Sequence, residues 1–99
     1  MTIKQLKRFF EAHDDEFLKF ERIPKERRST RRPDLHAFLM LDALVPGETD
    51  IVACAEHDEI YLDVSAEDLA KIATEDQLVD LIRCGVRHDP DNDSFCMFT

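Results

Sequence analysis

The chain has 99 residues, 43% of them apolar, with 13 Lys/Arg against 22 Asp/Glu and a net charge of −9. This length suits one domain with a modest core, and the apolar content excludes a largely disordered or low-complexity chain. The charge is unevenly divided: residues 1–41 hold ten basic and seven acidic residues (+3), whereas residues 42–99 hold three basic and fifteen acidic residues (−12). This polarisation favours a protein that binds a partner over one that turns over a substrate.

The N-terminal part of the chain has the pattern of an amphipathic helix. Thr2 and Gln5 have the spacing of a capping box, and apolar or ring residues follow at steps of three and four. A helix is therefore predicted from Ile3 to about Arg22, with Asp14-Asp15 as a point where it could divide into two pieces.

The middle of the chain is predicted to form a connector and a second helix. Residues 25–32 contain five basic residues without apolar periodicity, which indicates an exposed connector. Asp34 is then in a position to cap a helix that the turn-forming pair Pro46-Gly47 ends.

The second half begins with a predicted β-hairpin and continues with two short helices. Residues 51–55 and 60–64 are rich in β-branched and aromatic side chains, and a polar turn separates them. Ser65 and Thr74 each begin a capping-box pattern, and Gly85 stands where the residue after a helix belongs.

Two further strands are predicted at the C-terminal end, over residues 86–89 and 94–98, with turn-forming residues between them. The whole chain is thus predicted to be a single α+β domain, residues 1–99, in which a small antiparallel sheet of three to four strands packs against about four helices.

The acidic half supplies the leading candidate for a binding surface. Nine carboxylates fall within 25 residues: Glu56, Asp58, Glu59, Asp63, Glu67, Asp68, Glu75, Asp76 and Asp80. A dense carboxylate surface can occupy a basic groove on a partner, and long-range attraction speeds that encounter. The alternative is a solvated face in which acidic residues favour solubility and helix N-termini. The predicted partner-binding face consists of Glu56, Asp58, Glu59, Asp63, Glu67 and Asp68.

The basic connector supplies the second candidate. Arg27, Arg28, Arg31 and Arg32 could neutralise the phosphates of a nucleic acid. However, no aromatic residue is interleaved for base stacking, and the chain as a whole is acidic. The alternative is an exposed loop that pairs with the protein's own acidic surface or with that of a neighbouring molecule.

The apolar C-terminal strand, residues 95–98, could be an inner strand whose side chains belong to the core. If it instead lies at the edge of the sheet, it would offer unpaired backbone for a symmetric homodimer.

The residue types of catalytic and metal sites are present without the required pattern. The four histidines and three cysteines lack metal-ligand spacing, so no metal and no other cofactor is expected. No nucleophile with an adjacent base and no Gly-rich phosphate loop is recognisable, so we do not expect an enzyme. We interpret Cys54, Cys84 and Cys96 as free, buried thiols of a reducing compartment, and in the absence of a recognisable signal peptide or membrane span the expected location is cytoplasmic.

Residues 59–64 (EIYLDV), the following segment 65–86 and the ending Met97-Phe98 resemble short uncharacterised proteins of tailed-phage and prophage genomes. The resemblance covers residues 34–99 and implies a small accessory protein, a class that includes inhibitors of host proteins. The sequence as a whole therefore leads to the hypothesis of a non-enzymatic interaction module that binds a basic surface of another protein.

Overall fold

A computed structural model describes residues 1–91 and 93–98. They form four α-helices and a four-stranded antiparallel sheet, which confirms the predicted α+β class and the predicted order of elements. The helices are α1 (Ile3–Ala12), α2 (Pro33–Leu44), α3 (Ala66–Ile72) and α4 (Glu75–Arg83). The strands are β1 (Val52–Glu56), β2 (Glu59–Leu62), β3 (Arg87–Asp89) and β4 (Ser94–Phe98). None of these helices is both long enough and apolar enough to cross a bilayer.

Helix α1 begins as its capping box predicts but is shorter than expected. The Gln5 N–H donates to Thr2 Oγ1 at 3.2 Å, and the Thr2 N–H donates to Gln5 Oε1 at 2.7 Å. The helix ends at Ala12 rather than near Arg22, and short 3₁₀ turns follow it. Leu18 has a φ of 62°, outside the helical region, and its N–H donates to the Ile82 carbonyl at 3.3 Å. The interrupted chain thereby docks on α4 instead of continuing as a helix.

The N-cap of helix α2 lies two residues before the predicted cap, Asp34. Arg32 is the N-cap and Pro33 occupies the first helical position, where its missing N–H costs no hydrogen bond. Asp34 lies inside the first turn, and its carboxylate accepts the Leu35 N–H at 2.8 Å. The carboxylate is still favourably placed beside the positive end of the helix dipole.

Helix α4 ends as its sequence predicts. The Gly85 N–H donates to the Ile82 carbonyl at 2.9 Å, and the Val86 N–H donates to the Leu81 carbonyl at 3.1 Å. This pair of bonds is the Schellman motif, which needs a left-handed residue after the helix. Gly85 provides it with a φ of 100°.

The strand order is β1-β2-β4-β3, so β4 is an inner strand with a paired neighbour on each side. This confirms the inner-strand alternative, and the edge strand on which the predicted homodimer depended is not present, because β2 and β3 occupy both edges of β4. The turn before β4 includes position 92, which lies outside the described residues.

One hydrophobic core joins all four helices to the sheet. Strand alternation places Phe95 and Met97 of β4 on one face together with Leu62 of β2, and these three side chains are at most 5% exposed. Each helix adds apolar residues to the same core, namely Leu6, Ala37, Leu41, Leu69, Ala70, Leu78 and Leu81. The other face of β4 carries Phe98, which is 58% exposed.

Candidate functional site

The six carboxylates of the predicted acidic face lie at two ends of the β1-β2 hairpin. Glu56 is the last residue of β1 and Asp58 lies in the turn, whereas Asp63 follows β2 at the opposite end. Glu59 and Asp63 are four residue steps apart along the extended strand, a span of about 13 Å. The structure therefore does not bring the predicted face together as one cluster.

At the turn, the carboxylate of Glu59 already has partners. Tyr61 Oη donates to Glu59 Oε2 at 3.1 Å, and Arg87 of β3 reaches across β4 to pair with Glu59 Oε1. The Arg87 guanidinium carbon also lies 4.0 Å from the centroid of the Phe98 ring. Glu59 thus links β2 to β3 on the outer face of the sheet. The exposed carboxylates of the predicted face at this end of the hairpin are therefore Glu56 and Asp58.

The opposite end of the hairpin carries the denser cluster, which we call the acidic end. Thr49 Oγ1 donates to Asp63 Oδ2 at 3.1 Å, and the Asp63 N–H donates to the Ile51 carbonyl at 2.7 Å. These contacts place the loop before β1 beside the start of α3. The acidic end consists of five exposed carboxylates, Glu48, Asp50, Asp63, Glu67 and Asp68.

Positive charge near the acidic end lies around Glu67, which lines a groove together with Lys4, Lys71 and Met1. Residues 42–70 contain nine Asp/Glu and no Lys or Arg. Lys71 pairs with Glu67 at 3.1 Å, and both side chains are about two-thirds exposed (67% and 65%), so the pair is weak. Glu48 and Asp50 were not part of the predicted face, although the hairpin pairing that places them beside Asp63 was recognisable from the sequence.

Two of the four arginines in the basic connector are bound within the fold. Arg27 donates two hydrogen bonds to Asp80, at 3.1 and 3.0 Å, and these bonds raise the pKa of Arg27. Arg28 donates to the carbonyls of Ile23 and Glu21 at 2.8 and 2.9 Å, and it stacks over the Phe20 ring. Of the four predicted arginines, Arg31 and Arg32 are exposed and form no ion pair with a described residue, whereas Arg27 is held by Asp80 although its side chain is 44% exposed.

A cleft lies beside these exposed arginines. Its volume is about 700 Å³, and its lining includes Lys25, Arg31 and the hydroxyl residues Ser29 and Thr30. The Phe20 ring, covered by Arg28, forms part of the same lining. An anion could find hydrogen-bond donors here, although Glu21 belongs to the same lining and a long polyanion would also meet the acidic charge of the rest of the chain.

The position of Asp80 in the sequence suggested that it belongs to the acidic surface. Its side chain is instead buried, because the residue is only 3% exposed. It accepts a hydrogen bond from Arg83 at 3.2 Å in addition to those from Arg27. Arg83 also donates to Glu16 at 2.8 Å, and Arg22 donates to the other oxygen of Glu16 at 2.9 Å. This chain of alternating charges fastens residues 16–27 to α4, and the bond from Arg83 is the main reason that the pKa of Glu16 is lowered.

His36 of α2 lies next to this ionic network and is 1% exposed. Its Nδ1 is within 3.2 Å of the Ser29 N–H, and because a backbone N–H can only donate, Nδ1 accepts. The ring proton of the neutral form is thereby assigned to Nε2. Burial lowers the pKa of His36 below its ordinary 6.5, and Arg28 lowers it further, while Asp80 acts in the opposite direction.

This lowered pKa predicts that the protein loses stability on mild acidification. Between the folded pKa of His36 and about 6.5, the unfolded chain binds a proton that the folded chain does not, so the free energy of unfolding falls as the pH falls. Urea unfolding from about pH 7.5 to about pH 5 should show this decline, and His36→Gln should flatten it. The lowered pKa of Glu16 produces a separate decline below about pH 4.5 that His36→Gln should leave intact. An unchanged slope in the variant between about pH 5 and pH 6.5 would contradict this assignment.

The cysteines differ from the prediction in one respect, since Cys54 is exposed whereas Cys84 and Cys96 are buried, and all three are free. Burial raises the pKa of Cys84 to about 12 and also raises that of Cys96, so these two thiols stay protonated at neutral pH. Among residues 1–91 and 93–98, no three His, Cys, Asp or Glu side chains come together as a metal-binding group.

Comparisons with protein-family models, with curated proteins and with solved structures gave no match to this chain.

Proposed function

We propose that this chain is a non-enzymatic interaction module that binds a basic surface of another protein through its acidic end. The observation that carries the proposal is the exposure of Glu48, Asp50, Asp63, Glu67 and Asp68 beside one another in a segment that has no basic residue. Repulsion among neighbouring carboxylates opposes folding, and a basic partner relieves it. Electrostatic attraction would also speed the encounter with that partner.

The resemblance of residues 34–99 to short phage proteins extends this proposal to a biological setting. A phage or prophage accessory protein that inhibits a host protein needs a binding surface more than a catalytic pocket. We accordingly place its action in the cytoplasm of the host cell, on a protein with a basic groove.

The decisive experiment compares two charge-reversed variants that differ only in where the charge changes. Glu48→Lys with Asp50→Lys alters the acidic end, and Glu56→Lys with Asp58→Lys alters the turn. Each pair shifts the net charge by the same four units, and none of the four side chains forms an ion pair with a described residue.

Affinity capture from a host lysate, with and without nuclease and at low and high salt, gives the readout. The wild type and the turn variant should retain one partner protein whose capture resists nuclease and weakens with salt. The acidic-end variant should capture at least about tenfold less of that protein. Equal retention by all three proteins, or equal loss from both variants, would contradict a binding face at the acidic end.

Nucleic-acid binding is the second candidate, because the cleft beside the basic connector is lined by Lys25, Arg28 and Arg31. A fluorescent single-stranded oligonucleotide is the probe, and its affinity should fall steeply with salt. Lys25→Ala with Arg31→Ala should abolish binding, whereas the matched pair Lys4→Ala with Lys7→Ala on α1 should not. Equal affinities of the two variants would remove this candidate.

A further inference from the structure

Helix α2 has a second apolar face that the core does not use. Its inner face contributes Ala37 and Leu41, both 0% exposed. Its outer face presents Leu35 and Leu39, which are 42% and 46% exposed although a single helical turn separates them. An amphipathic helix at the surface of a monomer normally carries polar side chains on that side. The two outward leucines are therefore a candidate contact surface for another protein chain.

The charged residues beside these leucines identify the kind of occupant. Arg32, Leu35, Leu39 and Asp42 follow one another at steps of three, four and three, which is the spacing of a coiled-coil seam. All four are exposed, with a basic residue at the N-terminal end of the seam and an acidic residue at its C-terminal end. Among the described residues, neither Arg32 nor Asp42 forms an ion pair.

When a second copy of this helix face is turned end to end, its basic end meets the acidic end of the first copy and its leucines meet the leucines. We propose that the outer face of α2 binds α2 of a second copy in antiparallel orientation. A two-fold axis near residue 37 then places Leu35 against Leu39 of the other copy and Arg32 against Asp42 of the other copy. Parallel pairing would instead oppose arginine to arginine and aspartate to aspartate, so the charges select the antiparallel arrangement.

The size of the face sets the strength of the expected contact. Twelve helical residues span about 18 Å, which places the interface in the small, reversible class rather than among obligate dimers. Dimer formation should accordingly depend on protein concentration. Dimerisation is measured on the purified chain alone, so the result of that measurement is independent of the acidic-end proposal.

Charge reversal at the two ends of the seam tests the proposal. Arg32→Asp or Asp42→Arg alone would oppose like charges at both ends of the dimer, and each should weaken dimerisation at least about tenfold. Neither change is expected to weaken the helix, because aspartate is a favourable N-cap and arginine is favourable in the last turn.

The two single variants should also complement each other. The Arg32→Asp chain carries aspartate at both positions, and the Asp42→Arg chain carries arginine at both, so an equimolar mixture should form a heterodimer. The double variant R32D/D42R should recover homodimerisation in the same way. Sedimentation velocity from about 5 to about 500 µM reports all of these species.

Three outcomes would overturn the proposal. The first is a wild type that remains monomeric at the highest concentration. The second is a dimer whose strength both single variants leave unchanged. The third is a mixture of the two single variants that stays monomeric under conditions in which the wild type dimerises. Circular dichroism of each variant verifies that helix content is preserved, so that a monomer cannot be ascribed to unfolding.

Discussion

Replacing Phe95 by alanine is expected to lower the free energy of unfolding by about 4 kcal/mol. Phe95 is 0% exposed and lies on the inner strand β4, opposite Leu62 of β2 and His88 of β3. Its ring centroid is 5.8 Å from that of Phe10 and 5.6 Å from that of His88. The variant removes this contact between α1 and the sheet and leaves a cavity that strands paired on both sides cannot easily close. Urea unfolding followed by circular dichroism measures the loss.

Phe98→Ala is the matched control, because the same substitution is made on the same strand. Phe98 is 58% exposed on the opposite face, where it contacts Arg87 and, edge to face, the Phe17 ring, so its loss should cost about 1 kcal/mol. Equal losses in the two variants would contradict the assignment of Phe95 to the core face and Phe98 to the outer face.

The sequence predicted those parts of the fold that local contacts determine. Thr2 with Gln5 and Thr74 with Gln77 are capping boxes, whose hydrogen bonds join residues three positions apart. Gly85 ends α4 through bonds to residues of the same helix. Signals of this kind are complete within a few residues, so composition and spacing were sufficient to recognise them.

Features that depend on distant residues could not be derived in the same way. The apolar pattern of β4 suits an inner strand and an edge strand equally, and only its pairing with β2 and β3 decides between them. The end of α1 likewise depends on where Leu18 meets α4. The apolar residues of segment 13–20 continue the helical spacing of α1 although the backbone leaves the helix after Ala12. The sequence pattern therefore gave no indication of that contact.

The candidate site shows the same division between local and distant information. The sequence identified the acidic half correctly as a surplus of carboxylates, but the predicted face joined the turn and the acidic end, which lie at opposite ends of β2. It also could not show that Arg27 meets Asp80, since 53 positions separate the two residues. Part of the opposite charge of the two halves therefore forms ion pairs within the fold, such as the one between Arg27 in the basic half and Asp80 in the acidic half.

This internal use of charge leads to the prediction that Asp80→Asn lowers the free energy of unfolding by about 3 kcal/mol. The variant keeps the shape of the side chain but removes the negative charge that Arg27 and Arg83 share at distances of 3.0 and 3.2 Å. Both guanidinium groups would then face each other without a common carboxylate. Asp76→Asn, an exposed change on the same helix, should cost less than about 1 kcal/mol in the same urea titration.

A second readout separates loss of the ion pairs from general destabilisation. If Asp80 holds the basic connector through Arg27, trypsin should cleave Asp80→Asn within residues 25–32 faster than it cleaves Phe95→Ala, because only the former releases the connector while the fold persists. A double-mutant cycle of Asp80→Asn with Arg27→Ala should give a coupling energy of about 1 to 2 kcal/mol. Additive effects and unchanged cleavage would together mean that the buried carboxylate stabilises α4 through Arg83 alone. Detectable coupling would instead show that Asp80 helps to order the basic connector through Arg27, in addition to the bonds that Arg28 donates to backbone carbonyls.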